Sequence, residues 1–70
     1  MPEDYPLIKR QDGKFEQSLG GRWVAEYFEN PVDGLWRVDL FLHDVPEWDS
    51  NGFQSIEEAQ QAVREYIDQQ

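Results

Sequence analysis

The chain contains no cysteine. That absence removes disulfide staples, thiolate metal sites and cysteine nucleophiles together. Its one methionine is the first residue and its one histidine is His43. A histidine metal cluster would need a second imidazole, so none is expected. Basic residues are scarce: six Lys and Arg face fifteen Asp and Glu, a net charge of −9. Direct binding to a phosphate backbone needs clustered Lys and Arg, so this balance argues against it. Long hydrophobic runs are missing too. No stretch approaches the ~20 apolar residues of a membrane span. The start MPEDYPLIKR carries no apolar run, so no secretory signal is expected and a cytoplasmic location is. Length itself is short. Seventy residues make one small domain, and such a chain buries only ~60% of its unfolded surface. A large core and a deep catalytic cleft do not fit together in it, and a non-enzymatic role is expected.

What the chain does have is aromatic side chains, which make up 14% of it. Each can bury ~150–250 Å², enough to offset the disorder expected of an acidic chain of low hydropathy. Residues 1–6 read as a flexible tail, as do Asp68, Gln69 and Gln70, and residues 7–70 read as one domain. Turn signals fall at Asp12-Gly13, Gly20-Gly21, residues 30–34 and Asn51-Gly52. Strand-like runs lie between them at residues 7–11, 14–19, 22–29 and 35–42. In the third run Trp23, Ala25 and Tyr27 share a face. In the fourth, Trp36, Val38, Leu40 and Leu42 share one and Leu35, Arg37, Asp39 and Phe41 the other. The Trp36 face is the expected core, with Trp36 buried. Ser55 followed by Glu58 is a capping box. Ile56, Ala59, Val63, Tyr66 and Ile67 then form an apolar stripe at helical spacing. The predicted class is α+β: a three- to four-stranded antiparallel meander followed by one C-terminal helix packed on the sheet. So short a sheet also leaves an edge that invites pairing into a homodimer.

The charge is uneven. Residues 1–37 hold seven acids and five bases, a balance of −2, and residues 38–70 hold eight acids and one base, a balance of −7. The second half therefore offers a surface for a basic partner, or simply a solvated face that keeps a small protein soluble. Residues 43–52 are the densest polar stretch, and three readings compete for them. Glu47, Asp49, Asn51, Gly52, Ser55 and Glu58 have the relative spacing of a calcium-binding EF-hand loop. Against it stand Glu47 at the first position, Gln54 at the eighth and Pro46 in the entering segment. His43 beside Asp44 makes a His-carboxylate pair that could act as a general base or metal ligand, but no second His or Cys accompanies it. The third reading is structural: a strand exit, a turn and a helix start, with Trp48 and Phe53 covering the end of the core. An exposed Trp48 would in addition be a strong binding anchor.

Asp44-Val45-Pro46, the Gly52 turn and Glu57-Glu58-Ala59 together resemble small antitoxins of the HicB type, over residues 23–67. The resemblance implies an alternating strand pair, a strand exit at Asp-hydrophobic-Pro and a following helix. Glu47 and Trp48 depart from the small residues that family has after the proline. One extra residue lies between Gly52 and Ala59, and the further strand that follows the helix in that family is missing. A similar helix start occurs in the small DNA-binding sheet domains of integrases, whose sheet face is basic where this one is not.

The expected function is a small acidic protein-binding module: an inhibitor, antitoxin or immunity-type protein that blocks a basic, nucleic-acid-handling partner. The residues expected to carry it are Asp44, Glu47, Trp48, Asp49, Glu57, Glu58 and Glu65, on a loop-helix surface. No cofactor is expected. One alternative is a calcium- or small-ligand-binding regulatory domain using Glu47, Asp49, Asn51, Ser55 and Glu58. Another is single-stranded nucleic acid on the sheet face through Trp23, Tyr27, Lys14 and Arg22, where bases could stack on the aromatics.

Overall fold

The computed structural model describes residues 6–70. The tail expected over residues 1–6 thus lies outside the described residues, except for Pro6, which is exposed and without regular structure. Five strands follow in order: β1 (Ile8–Lys9), β2 (Phe15–Gly20), β3 (Trp23–Glu29), β4 (Trp36–Leu42) and β5 (Val45–Phe53). One helix, α1 (Ile56–Asp68), ends the chain. The sheet is an antiparallel meander in the order β1-β2-β3-β4-β5. The α+β class, the meander and the C-terminal helix on the sheet are as expected. The strand count is five, because residues 45–53 form a strand rather than a loop.

The hairpin turns explain the tight meander. Gly20 pairs with Trp23 across a two-residue turn in which Gly21 and Arg22 have φ of 60° and 71°. Leu42 pairs with Val45 across His43 and Asp44, with φ of 55° and 65°. Two left-handed residues in a row define the type I′ turn, whose twist matches the strands it joins. The two turns lie at the same end of the sheet, where the His43 backbone N–H donates to the Arg22 carbonyl at 3.1 Å. Asp44-Val45-Pro46 is therefore a turn and the start of β5, not a strand exit.

Strand alternation sorts the side chains as expected. Ala25, Tyr27, Val38 and Leu40 are fully buried on one face beneath Ala59 and Val63 of α1. The aromatic rim is more open than expected for Trp36. It is half-buried, as are Trp23 and Trp48, and packs against Phe15 with ring centroids 6.1 Å apart. The Tyr27 hydroxyl donates to Gln17 Oε1 at 3.0 Å, and Gln60 Nε2 of α1 reaches the same oxygen at 3.4 Å. Gln17 is the one buried polar residue among the described residues. Ser55 Oγ caps the helix by accepting from the Glu58 N–H, and Glu58 Oε1 accepts from the Gln54 N–H. Helix geometry continues through Asp68, and Gln69 is its C-cap.

Candidate protein-binding surface around strand β5

Strand β5 pairs with β4 and forms one edge of the sheet. Its register is interrupted twice. Phe41 pairs with Pro46 and Leu40 with Trp48, so Glu47 is an extra, bulged residue. Trp36 pairs with Phe53 and Arg37 with Asn51, leaving Gly52 as a second bulge with φ of 88°. Between the bulges Trp48, Asp49, Ser50 and Asn51 pair regularly with Leu40, Asp39, Val38 and Arg37. Among the described residues no backbone hydrogen bond joins the outer side of β5 to another element.

The two faces of β5 differ. Trp48 points to the helix side, where its ring stacks on Tyr66 with centroids 4.7 Å apart and planes at 14°. Trp23 meets the same Tyr66 edge-on at 6.3 Å. Trp48 is thus a half-buried ring with one face already occupied. Asp49 points to the uncovered face and ends a cross-strand row of carboxylates, Glu16, Glu26, Asp39 and Asp49, that lie directly opposite one another. Like charges in this position repel, and two arginines relieve them. Arg10 Nη1 binds Glu26 Oε2 at 2.7 Å and lies 3.9 Å from Glu16, while its Nη2 lies 3.3 Å from Asp12. The Glu26 hydrogen bond, then the charges of Asp12 and Glu26, push the Arg10 guanidinium further up from its ordinary value. Arg37 Nη2 lies 3.1 Å from Asp39 and 3.8 Å from Asp49. Asp49 keeps a side chain 62% exposed, the most open of the row.

The helix supplies the rest. Tyr66 stands over Trp48, and helical spacing puts Ala62 and Glu58 one and two turns before it on the same flank, with Glu65 beside them. Gln60 marks the other flank by reaching Gln17 on β2. Arg64, one turn on from Gln60, lies on that flank as well, where its charge acts on Tyr27. The only base of α1 is therefore turned away from β5. Glu57 is exposed and, one turn before Gln60, lies on that other flank too.

Of the residues expected from sequence, the fold gathers Glu47, Trp48, Asp49, Glu58 and Glu65 around β5. Asp44 sits in the turn at its start, and Glu57 stands apart. They do not form one loop-helix face: Asp49 lies on the opposite side of the sheet from α1, and β5 is the element between. Glu16, Glu26 and Asp39 were not expected at all. The signal for them was alternation, since each falls on the non-core face of its strand. Placing them in one row needed the register, which the two type I′ turns set.

The alternative sites fare differently. A calcium loop would wrap Glu47, Asp49, Asn51, Ser55 and Glu58 round one point. Here residues 47–53 are extended, Ser55 and Glu58 are engaged as helix caps, and no group of three or more His, Cys, Asp or Glu among the described residues is placed to hold a metal ion. For base stacking, Tyr27 is fully buried and Trp23 lies on the helix-covered face. Lys14 and Arg22 fall at opposite ends of the β2–β3 hairpin, so the four residues do not make one surface. His43 is exposed in its turn, next to the exposed Asp44. No helix of the described residues is long and apolar enough to cross a membrane. A scan against protein-family models returns no match, and searches of curated proteins and of solved structures return none either, so the likeness to HicB-type antitoxins rests on its short motifs alone.

Proposed function

We propose that this chain is a non-enzymatic module that captures a basic partner protein along β5 and the adjoining flank of α1. One observation carries the reading. Glu47 and Asp49 flank Trp48 along the edge strand and Glu58 and Glu65 lie on the flank of α1 beside that strand, while Arg64, the sole base of the helix, lies on the other flank. Unbalanced charge beside a large half-buried ring suits steering followed by anchoring: the carboxylates raise the rate of encounter and the ring slows release. An inhibitor of the antitoxin or immunity type, which occludes a surface that handles nucleic acid, would work in this way.

The test uses an oligomer of lysine as probe and tryptophan fluorescence as readout. Binding should weaken steeply as salt shortens the screening length from about 10 Å at 0.1 M to about 3 Å at 1 M. Replacing Asp49 and Glu65 together by Lys should weaken it at low salt by about tenfold or more. Binding that ignores both salt and the double variant would remove the proposal.

A further inference from the structure

We infer that β5 takes its partner by strand addition, and that the partner segment is extended, with basic and apolar side chains alternating. The inference rests on the protein-binding reading above and specifies how that surface is used.

An edge strand presents a row of unpaired N–H and C=O groups, and proteins ordinarily blunt such rows. The other edge, β1, is blunted by being two residues long. Strand β5 is nine residues long and is blunted only at its ends, by Pro46 with the Glu47 bulge and by the Gly52 bulge. The stretch Trp48 to Asn51 between them is regular, and no other element covers it. It is an open template for one short strand whose register the bulges limit.

Side chains then select the occupant. An added strand continues the cross-strand rows of the sheet. On the uncovered face its residue opposite Asp49 would extend the row Glu16, Glu26, Asp39, Asp49, where only Lys or Arg relieves the repulsion. On the helix face its neighbouring residues would lie beside Trp48 and Ser50, under the flank of α1 that carries Ala62. Ser50 and Ala62 are small and half-buried, as are the larger Trp48 and Phe53 on the helix face of β5, so an apolar side chain fits that face. Glu58 and Glu65 border it and favour a positive charge further out. Main-chain bonding gives such contacts affinity and alternate side chains give them specificity.

A second copy of this chain fits poorly. The register that pairs β5 with its own copy over its whole length is centred on Asp49. It sets the two Asp49 side chains face to face, between chains of net charge −9 each.

Synthetic peptides of three designs test this against the intact chain. The first alternates, acetyl-Thr-Lys-Val-Lys-Val-Lys-Thr-amide. The second has the same composition in blocks, Lys-Lys-Lys-Val-Val-Thr-Thr. Two forms of the third carry the alternating sequence N-methylated at one or the other set of alternate residues. The alternating peptide should bind about tenfold tighter than the block peptide. One N-methylated form should lose that gain and the other keep it, since alternate N–H groups of a strand point to one side. Hydrogen exchange of the backbone amides between Trp48 and Asn51 should slow on binding. Equal binding of all the peptides overturns strand addition and leaves the acidic capture surface standing. No binding of any of them at low salt overturns both readings. Concentration-dependent dimerisation of the chain alone, with slowed exchange in β5, overturns the inference in favour of a second copy.

Discussion

Single residues decide how tightly this small core is specified, and Tyr27 is the clearest case. Its ring is fully buried and its hydroxyl donates to Gln17 Oε1. Burial pushes its pKa up from the ordinary 10.0, with the charge of Arg64 working weakly against that. A tyrosine whose folded pKa exceeds its unfolded one stabilises the fold fully below the unfolded value. It loses that contribution as pH rises from 10 toward the folded value, because only the unfolded chain can ionise. Stability should therefore be insensitive to this group at neutral pH and fall in alkali. Tyr27→Phe should lower stability by about 1 kcal/mol at pH 7 and make the alkaline decline shallower. Urea unfolding of both proteins from neutral to alkaline pH checks this, and parallel pH profiles would contradict it. The ring was legible as core from its alternation with Trp23 and Ala25. The hydrogen bond was not, because Gln17 gives no apolar signal and meets Tyr27 only once β2 pairs with β3 in this register.

At the scale of elements, β3, β4 and α1 were readable because their periods are unbroken and their ends carry turn or cap residues. Strand β5 was not. Its alternation is broken by the Glu47 and Gly52 bulges, and Pro46 and Asn51-Gly52 each mimic a turn. The same residues mimic a calcium loop, because Asx residues two apart before a glycine and a capping box are also what a bulged strand running into a capped helix requires. Millimolar calcium should therefore leave tryptophan fluorescence and stability unchanged. A saturable change would restore the metal reading. The turn that starts the strand offers a sharper handle. Asp44 holds φ of 65° with a side chain, a conformation that costs a non-glycine residue about 1 kcal/mol or more. Asp44→Gly should relieve that strain and raise the melting temperature by roughly 4–8 °C for each kcal/mol gained. Lower stability would mean that Asp44 contributes a contact that outweighs the strain. Ser55→Ala removes the acceptor for the Glu58 N–H and should lower stability by about 1 kcal/mol. Thermal melts of the two variants beside the parent chain measure both effects.

Across the whole molecule, the −9 of the sequence separates into two populations of acids. On the uncovered face, Glu16, Glu26 and Asp39 are held by Arg10 and Arg37 and are spent largely on one another's neighbours. Around β5 and α1, the acids outnumber the bases and the one arginine of the helix is on the far flank. A uniform charge cloud would make every acidic residue equivalent for binding, whereas a local site makes position decisive. Glu57 and Glu65 separate these cases, because both are exposed on α1 and reversing either changes the net charge equally. Glu65 lies on the flank beside Tyr66 and β5, and Glu57 does not. Glu65→Lys should therefore weaken binding of a lysine oligomer several-fold more than Glu57→Lys, with the gap closing as salt is raised. Glu65→Lys should keep the melting temperature close to that of the parent chain, whereas Glu57 sits in the first turn, where reversing its charge costs up to about 1 kcal/mol through the helix dipole and lowers the melting temperature accordingly. That term biases the comparison toward a larger effect at Glu57 and so works against the expected order. Finding Glu65→Lys the weaker binder despite it would place the contact on the β5 side. Equal losses at the two positions would mean that the partner senses only the total charge.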